Sequence, residues 1–150
     1  MTSSNIIVVG GGIFGTSAAR ELKKRGHSVT LFDSGPLPNP DASSSDISKT
    51  IRADYGADRF YAELATQAIN GWHQWNEESS QTLYEETGNL WLTPHPMAEG
   101  QFEFESCRVL SELNYPIEPL EKSEIQERFP AWKEAGYSHG YYNRRGGWAK

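Results

Sequence analysis

The chain has 150 residues, a formal net charge of −6 and 37% hydrophobic residues, which is compatible with a folded core. Its five tryptophans and seven tyrosines exclude a disordered polymer. The negative charge argues against a nucleic-acid partner. A single cysteine, Cys107, rules out an intramolecular disulfide, and without a basic leader or a long apolar run the expectation is an intracellular, cytoplasmic protein with no membrane partner. The histidines His27, His73, His95 and His139 are too scattered to suggest a metal site. Cys107, inside a predicted helix, reads as a small packing residue rather than a nucleophile.

The first predicted element is Ile6-Ile7-Val8-Val9, four branched apolar residues that read as a fully buried strand. The turn that follows, Gly10-Gly11-Gly12-Ile13-Phe14-Gly15, has the spacing Gly-x-Gly-x-x-Gly and opens a helix. Gly10 permits the sharp exit from the strand, Gly12 lets backbone N–H groups approach a pyrophosphate, and Gly15 lets helix and sheet pack closely. Ile13 and Phe14 lie at the same helix N-terminus, where unpaired N–H groups and the helix dipole favour an anion. Ala18, Ala19 and Leu22 are expected on the inward face, and Lys23, Lys24 and Arg25 complement the dipole before Gly26 ends the helix. Residues 27–32 read as a second strand. Asp33 at its end lies about 20 residues beyond the glycines, where a carboxylate holds ribose hydroxyls and repels a ribose phosphate. Asp33, with Ser34 beside it, therefore points to FAD or NAD rather than NADP.

Charge is unevenly distributed, with six Lys/Arg against four Asp/Glu over residues 1–52 and eight against sixteen in the remainder. The mildly basic part is the one expected to hold an anionic cofactor. Residues 34–48 carry three prolines and many hydroxyls, so a second helix cannot begin there. They read as either a flexible linker or a long functional loop over an extended polar ligand. Lys49 and Arg52 follow, three residues apart, and would share a face if the segment were helical. From spacing alone they read as a solvated surface pair.

The run Asp33…Pro36…Pro38…Ala42-Ser43-Ser44-Ser45-Asp46-Ile47-Ser48-Lys49-Thr50-Ile51-Arg52…Tyr55-Gly56 resembles the N-terminal region of the flavin-dependent amine oxidases that include monomeric sarcosine oxidase, fructosyl amino acid oxidase and their saccharopine- and pipecolate-oxidising relatives. Glu86-Thr87-Gly88-Asn89-Leu90-Trp91-Leu92, Ser123-Glu124-Ile125-Gln126-Glu127-Arg128-Phe129-Pro130 and Gly146-Gly147-Trp148-Ala149 resemble later landmarks of that family, in the right order. The resemblance implies an α/β fold: a Rossmann-like FAD-binding βαβ unit plus the start of an α+β substrate domain, incomplete in this chain. Residues 1–80 would belong to the FAD-binding domain, 81–142 to the substrate domain, and 143–150 would begin the return to the first.

By the same resemblance, Gly10, Gly12, Ile13, Phe14, Gly15, Asp33 and Ser34 would hold FAD, and Ser43, Ser44 and Ser48 would line the path toward the flavin. Lys49 would lie against the isoalloxazine ring, where its charge favours the reduced form. Arg52 would bind the substrate carboxylate through paired charge-assisted hydrogen bonds. The implied reaction is hydride transfer from the carbon bearing the amine of an N-alkyl or secondary amino acid to flavin, hydrolysis of the imine, and reoxidation by O2 to hydrogen peroxide. A fructosyl amino acid substrate is an alternative, as are a catalytically inactive nucleotide-binding fragment and an NAD-dependent dehydrogenase. The hydroxyl-rich loop disfavours the dehydrogenase. Family members are more than twice as long, and some carry a C-terminal peroxisomal signal. Their later flavin contacts, oxygen-activating lysine and flavin-linked cysteine have no counterpart here, so no covalent flavin is expected. Uncovered apolar surface in such a partial fold leads to the further expectation of poor stability and self-association.

The remaining elements read without the family. Phe60, Leu64, Ala68, Trp72 and Trp75, with Tyr61, Ala65 and Ile69 beside them, form an apolar stripe over a helix at about residues 57–78 and read as core. Residues 87–93 have strand character and stop at Pro94. A helix is predicted over 97–113 with Phe102, Val109, Leu110 and Leu113 inward. Ser123 and Gln126 suggest a capping box for a short helix ending before Pro130. Gly140-Tyr141-Tyr142 reads as a final strand.

Overall fold

The computed structural model describes residues 2–45, 47 and 49–150. The chain divides into two compact units, the first ending at Lys49 and the second running over Thr50–Lys150. In the first, β1 (Asn5–Val9) pairs in parallel with β2 (Ser28–Phe32), and α1 (Ile13–Lys24) forms the crossover between them. The register aligns Ile6 with Val29 and Val8 with Leu31, so one row of branched residues faces α1. Gly15, Ala19 and Leu22 are the half-buried positions of that helix, at spacings of four and three, whereas Ala18 is exposed. Gly26, at φ +87°, ends the helix as the glycine pattern predicts.

The first strand is not fully buried, contrary to its reading as a continuous apolar run. Ile7 and Val9 are 68% and 83% exposed, because a lone crossover helix covers one face of the pair and the pleat turns alternate residues away from it. Beyond β2, the loop passes through a cis Leu37–Pro38 bond to a short 3-10 turn, Ser43–Ser45.

The second unit contains two three-stranded sheets. One has the order β3 (Lys49–Ile51), β8 (Gly147–Ala149), β4 (Tyr84–Glu85), with the unit boundary falling inside β3. The other has β7 (His139–Asn143) at its centre, antiparallel to β5 (Asn89–Thr93) and to β6 (Ile117–Glu121). Pro119 lies in β6, an edge strand, where a missing N–H is tolerated. The close approach of β5 and β7 depends on Gly140, since a Cβ there would lie 2.0 Å from the Trp91 carbonyl oxygen.

Three helices complete this unit: α2 (Arg59–Glu78), α3 (Phe102–Glu112) and α4 (Lys122–Arg128). Asp58 caps α2 by accepting the Tyr61 N–H at 3.1 Å. A core of Ala53, Ala62, Ile69, Val109, Leu110 and Tyr115 forms around α2 and α3, with Tyr84 from β4. Each large apolar side chain buried there stabilises the fold by roughly 1.5–3 kcal/mol.

Several expectations change with the fold. Residues 49–51 form a strand, so the helical face imagined for Lys49 and Arg52 does not exist. The buried face of α2 runs through Ala62, Ala65, Ile69 and Trp72, while Phe60, Tyr61 and Leu64 stay exposed at 65%, 53% and 43% and Ala68 is exposed too. The helix is apolar over a wider arc than its neighbours cover. Phe102 is also 40% exposed, although Val109, Leu110 and Leu113 pack inward as expected. The capping box is built two residues earlier than predicted, with the Glu124 carboxylate accepting the Glu121 N–H at 2.9 Å. The strand at Gly140 is followed by one more, β8, which no alternation in Gly147-Trp148-Ala149 announces.

Candidate functional site

The glycine-rich turn has the form that a pyrophosphate requires. The Gly10 N–H donates to the Phe32 carbonyl at 2.7 Å, carrying the β1–β2 pairing into the turn. Gly10 has φ +100°, a conformation that a side chain would strain. A Cβ on Gly15 would lie 1.8 Å from the Gly10 carbonyl oxygen, whereas one on Gly12 would meet nothing within 4 Å. Gly15 thus closes the turn, and Gly12 faces open space. Gly12 is the N-cap of α1, with no side-chain cap and no acidic residue in the first turn, so the positive helix end carries no internal counter-charge. Ile13 and Phe14 occupy that first turn, and Phe14 is 90% exposed.

Asp33 meets the turn from the end of β2. Its Oδ2 accepts the Gly11 N–H at 2.6 Å and its Oδ1 accepts the Gly35 N–H at 2.9 Å. These backbone donors, Gly11 first, hold the carboxyl below its ordinary value. An ionised carboxylate has lone pairs left for further donors such as hydroxyls. The residues present therefore fit a dinucleotide: open backbone approach, an uncapped helix start and a charged acceptor one strand away.

Ser34 is exposed beside Asp33. Ser43 and Ser44 lie in the 3-10 turn, which Ser45 ties down by donating its hydroxyl to the Asn39 carbonyl at 2.5 Å. Ser44 is half-buried. Ser48 lies outside the described residues. Lys49, the first residue of β3, is the last residue of the first unit, and Arg52 belongs to the second.

Arg52 follows β3, whose Ile51 carbonyl accepts the Asn89 side-chain amide at 3.2 Å. The Arg52 guanidinium lies 5.3 Å from the ring centres of Tyr55 and Trp91 and 5.8 Å from that of Phe102. Its Nη1 donates to the backbone carbonyl of Asp54. Among the described residues no carboxylate lies within ion-pair distance of it, so its charge is met by aromatic faces and one carbonyl dipole. Two clefts open at this arginine. One, of about 330 Å³, is lined by Thr50, Ile51, Tyr55, Ala65 and Trp72, and the other, of about 300 Å³, by Thr50, Asn89, Leu90 and Trp91. Trp91 Nε1 is buried and without a hydrogen-bond partner among the described residues.

No sequence motif marks what lies beneath Arg52. Asp54 is fully buried, and its carboxylate accepts the Tyr141 hydroxyl at 2.7 Å and the Asn143 amide at 2.8 Å. Two residues on, the Gly56 N–H donates to Ser106 Oγ at 2.7 Å. Burial, and then the adjacent Asp54 charge, push the Tyr141 phenol far above its ordinary range, so it stays a neutral donor. The only local signal was an acid inside an otherwise apolar-flanked turn. Its partners are 87 and 89 residues away, beyond any periodicity.

A separate cleft of about 450 Å³ between α3 and β6 is lined by Met97, Phe104, Cys107, Arg108, Glu121 and His139. Burial pushes the Cys107 thiol up, which suits packing rather than nucleophilic attack. No group of three or more metal-ligating side chains occurs among the described residues, and no helix there is long and apolar enough to cross a membrane.

The profile of the family described as FAD dependent oxidoreductase matches residues 5–150. A peroxisomal sarcosine oxidase from Mus musculus is 29% identical over 141 residues, 94% of this chain and 35% of its own. A probable sarcosine oxidase from Arabidopsis thaliana is 41% identical over 61 residues, 41% of this chain and 15% of its own. The crystal structure of L-proline dehydrogenase from P. horikoshii superposes with a TM-score of 0.79 at 24% identity, covering 98% of this chain and 38% of that one. That likeness shows the fold alone. The chain spans about a third of the length of the mouse relative.

Proposed function

Because the chain belongs to the FAD dependent oxidoreductase family, matched over residues 5–150, we propose that it is the FAD-binding and carboxylate-binding part of an amino-acid oxidase acting on an N-alkyl or secondary amino acid. The observation that carries this reading is Arg52, a guanidinium set among three aromatic rings, opening onto two clefts and facing no carboxylate among the described residues. Such a group binds a carboxylate by two parallel charge-assisted hydrogen bonds. Sarcosine oxidases among the relatives support the substrate class.

When bound, FAD supplies the two-electron acceptor for oxidation of the amine. The chain's own residues do the rest of the binding. Gly12 and the first turn of α1 present backbone N–H groups to the pyrophosphate, and Asp33 accepts the ribose hydroxyls. Ser34 and Ser44 supply hydroxyls along the cofactor, the part that the resemblance also gives to Ser43 and Ser48. Lys49 places a cation near the flavin, and Arg52 orients the substrate by its carboxylate. Small-molecule substrate and O2 are the partners this chemistry needs.

The test is the visible spectrum of the purified chain after incubation with excess FAD and removal of free ligand, with Arg52→Ala alongside. A flavin band retained by both proteins, with carboxylate binding weakened only in the variant, is the expected result. Loss of flavin from Arg52→Ala would sink the assignment of Arg52. A colourless parent protein would count against a cofactor site in this chain.

A further inference from the structure

Arg52 can discriminate a carboxylate only if its planar fork is held still, and nothing in its own long side chain does that. Its hydrogen-bond anchor is the main-chain carbonyl of Asp54, so the direction of that carbonyl sets the guanidinium. The peptide is fixed on both sides. The Asp54 side chain is tied at both oxygens to β7, through Tyr141 at 2.7 Å and Asn143 at 2.8 Å, and the Gly56 N–H is tied to Ser106 on α3 at 2.7 Å. Tyr141 also stacks on Trp91, with ring centres 6.3 Å apart, and Trp91 is one of the rings against Arg52. One buried cluster therefore controls both the anchor of the guanidinium and one of its walls.

A fully buried carboxylate is an expensive way to tie down a loop, since apolar residues of similar volume often serve stability as well. Its two acceptor oxygens do offer what an apolar residue lacks, a defined orientation of the attached main chain. Resting on the reading of Arg52 as the carboxylate-binding residue, we infer that Asp54 is the positioning residue of that site, acting through its own carbonyl and held by Tyr141 and Asn143.

The choice of acceptor is specific. Replacing Asp54 by Asn leaves one acceptor oxygen where the carboxylate offered two, to the Tyr141 hydroxyl and the Asn143 amide, and Asn143 cannot simply turn over because its Oδ1 accepts the Arg145 N–H at 3.1 Å. Exchanging the two residues restores a donor facing an acceptor across the pair, with an amide oxygen left at position 54 for the Tyr141 hydroxyl and a carboxylate oxygen left at position 143 for the Arg145 N–H. This gives a rescue that a purely stabilising role would not share.

The experiment follows the Arg52 Nε–Hε resonance of the full chain by NMR while titrating N-methylglycine, with N-methylglycinamide as the uncharged counterpart. Asp54→Asn should weaken N-methylglycine about tenfold and leave the amide unchanged, as loss of one oriented charge-assisted contact predicts. Tyr141→Phe, which keeps the ring against Trp91, should weaken it about threefold, and the exchange Asp54→Asn with Asn143→Asp should return it to within about twofold of the parent. A folded Asp54→Asn protein with parental affinity overturns the inference, as does an exchanged pair no better than Asp54→Asn. Where Asp54→Asn does not fold, parental affinity in Tyr141→Phe overturns it. Followed instead at the Trp91 Nε1–H resonance, since Trp91 lines one of the same clefts, Arg52→Ala with parental affinity overturns the reading of Arg52 itself, whatever the Asp54 variants do.

Discussion

Asp33 reaches back from the end of β2 to Gly11, its Oδ2 accepting the Gly11 N–H at 2.6 Å. The same carboxylate takes the Gly35 N–H on its other oxygen, so one side chain ties the glycine turn to the loop after the second strand. The residue chosen from sequence as a ribose ligand also shapes the turn that would receive the phosphates.

Protonating Asp33 should loosen this turn. Its carboxyl is held below the ordinary value of 3.8 by hydrogen bonds to Gly11 and Gly35, so the folded form favours the carboxylate. The stabilisation is present above the unfolded value and is lost as pH falls through the lower folded value. The Gly11 amide resonance should therefore move in acid with a midpoint below 3.8, and Asp33→Asn should abolish that transition. The same variant should weaken FAD on the order of tenfold.

Gly12 and Gly15 should separate in their effects. A methyl group at position 15 meets the Gly10 carbonyl at 1.8 Å, so Gly15→Ala should cost roughly 2 kcal/mol or more in denaturant unfolding. At position 12 a methyl group meets nothing, and Gly12→Ala should cost less than about 1 kcal/mol. Flavin retention should nevertheless fall in Gly12→Ala, because the methyl group occupies the approach to the helix start. Equal flavin binding by Gly12→Ala and the parent would show that the pyrophosphate does not sit there.

The exposed aromatic arc of α2 should drive association. Phe60 stands against Tyr61 at 5.6 Å and Tyr61 stacks on Tyr55 at 5.7 Å, forming a contiguous apolar surface with Leu64. Sedimentation velocity should show a concentration-dependent species in the parent that Leu64→Glu diminishes. A parent that sediments as a monomer at every concentration would refute the expectation.

Alkali should unfold the second unit through its buried phenols. Burial pushes Tyr84 up to about 12 and raises Tyr115 and Tyr141 further. A raised folded value means stability that is complete below the unfolded value near 10 and is lost as pH rises through the folded one. Of the seven tyrosines, these three should stay un-ionised until the circular dichroism signal collapses. Tyrosinate absorbance that is complete before unfolding would contradict the burial of this cluster.

How far the chain could be read without its fold depends on the distance over which each signal acts. The strand, glycine turn, helix and second strand are encoded within 28 residues from Asn5 to Phe32, where apolar runs, glycine spacing and a charged last turn all report on neighbours. Asp33 was legible for the same reason. The acid that holds Arg52 was not, because Tyr141 and Asn143, on one strand 87 and 89 residues away, meet Asp54 only in the assembled second unit. The true buried arc of α2 and the strand at residues 49–51 were likewise decided by what packs against them. Local composition determined which backbone conformations and which cofactor class this protein can use. Tertiary structure alone decided which apolar faces are covered and which buried groups aim the arginine, since burial and long-range hydrogen bonds are properties of the assembled fold.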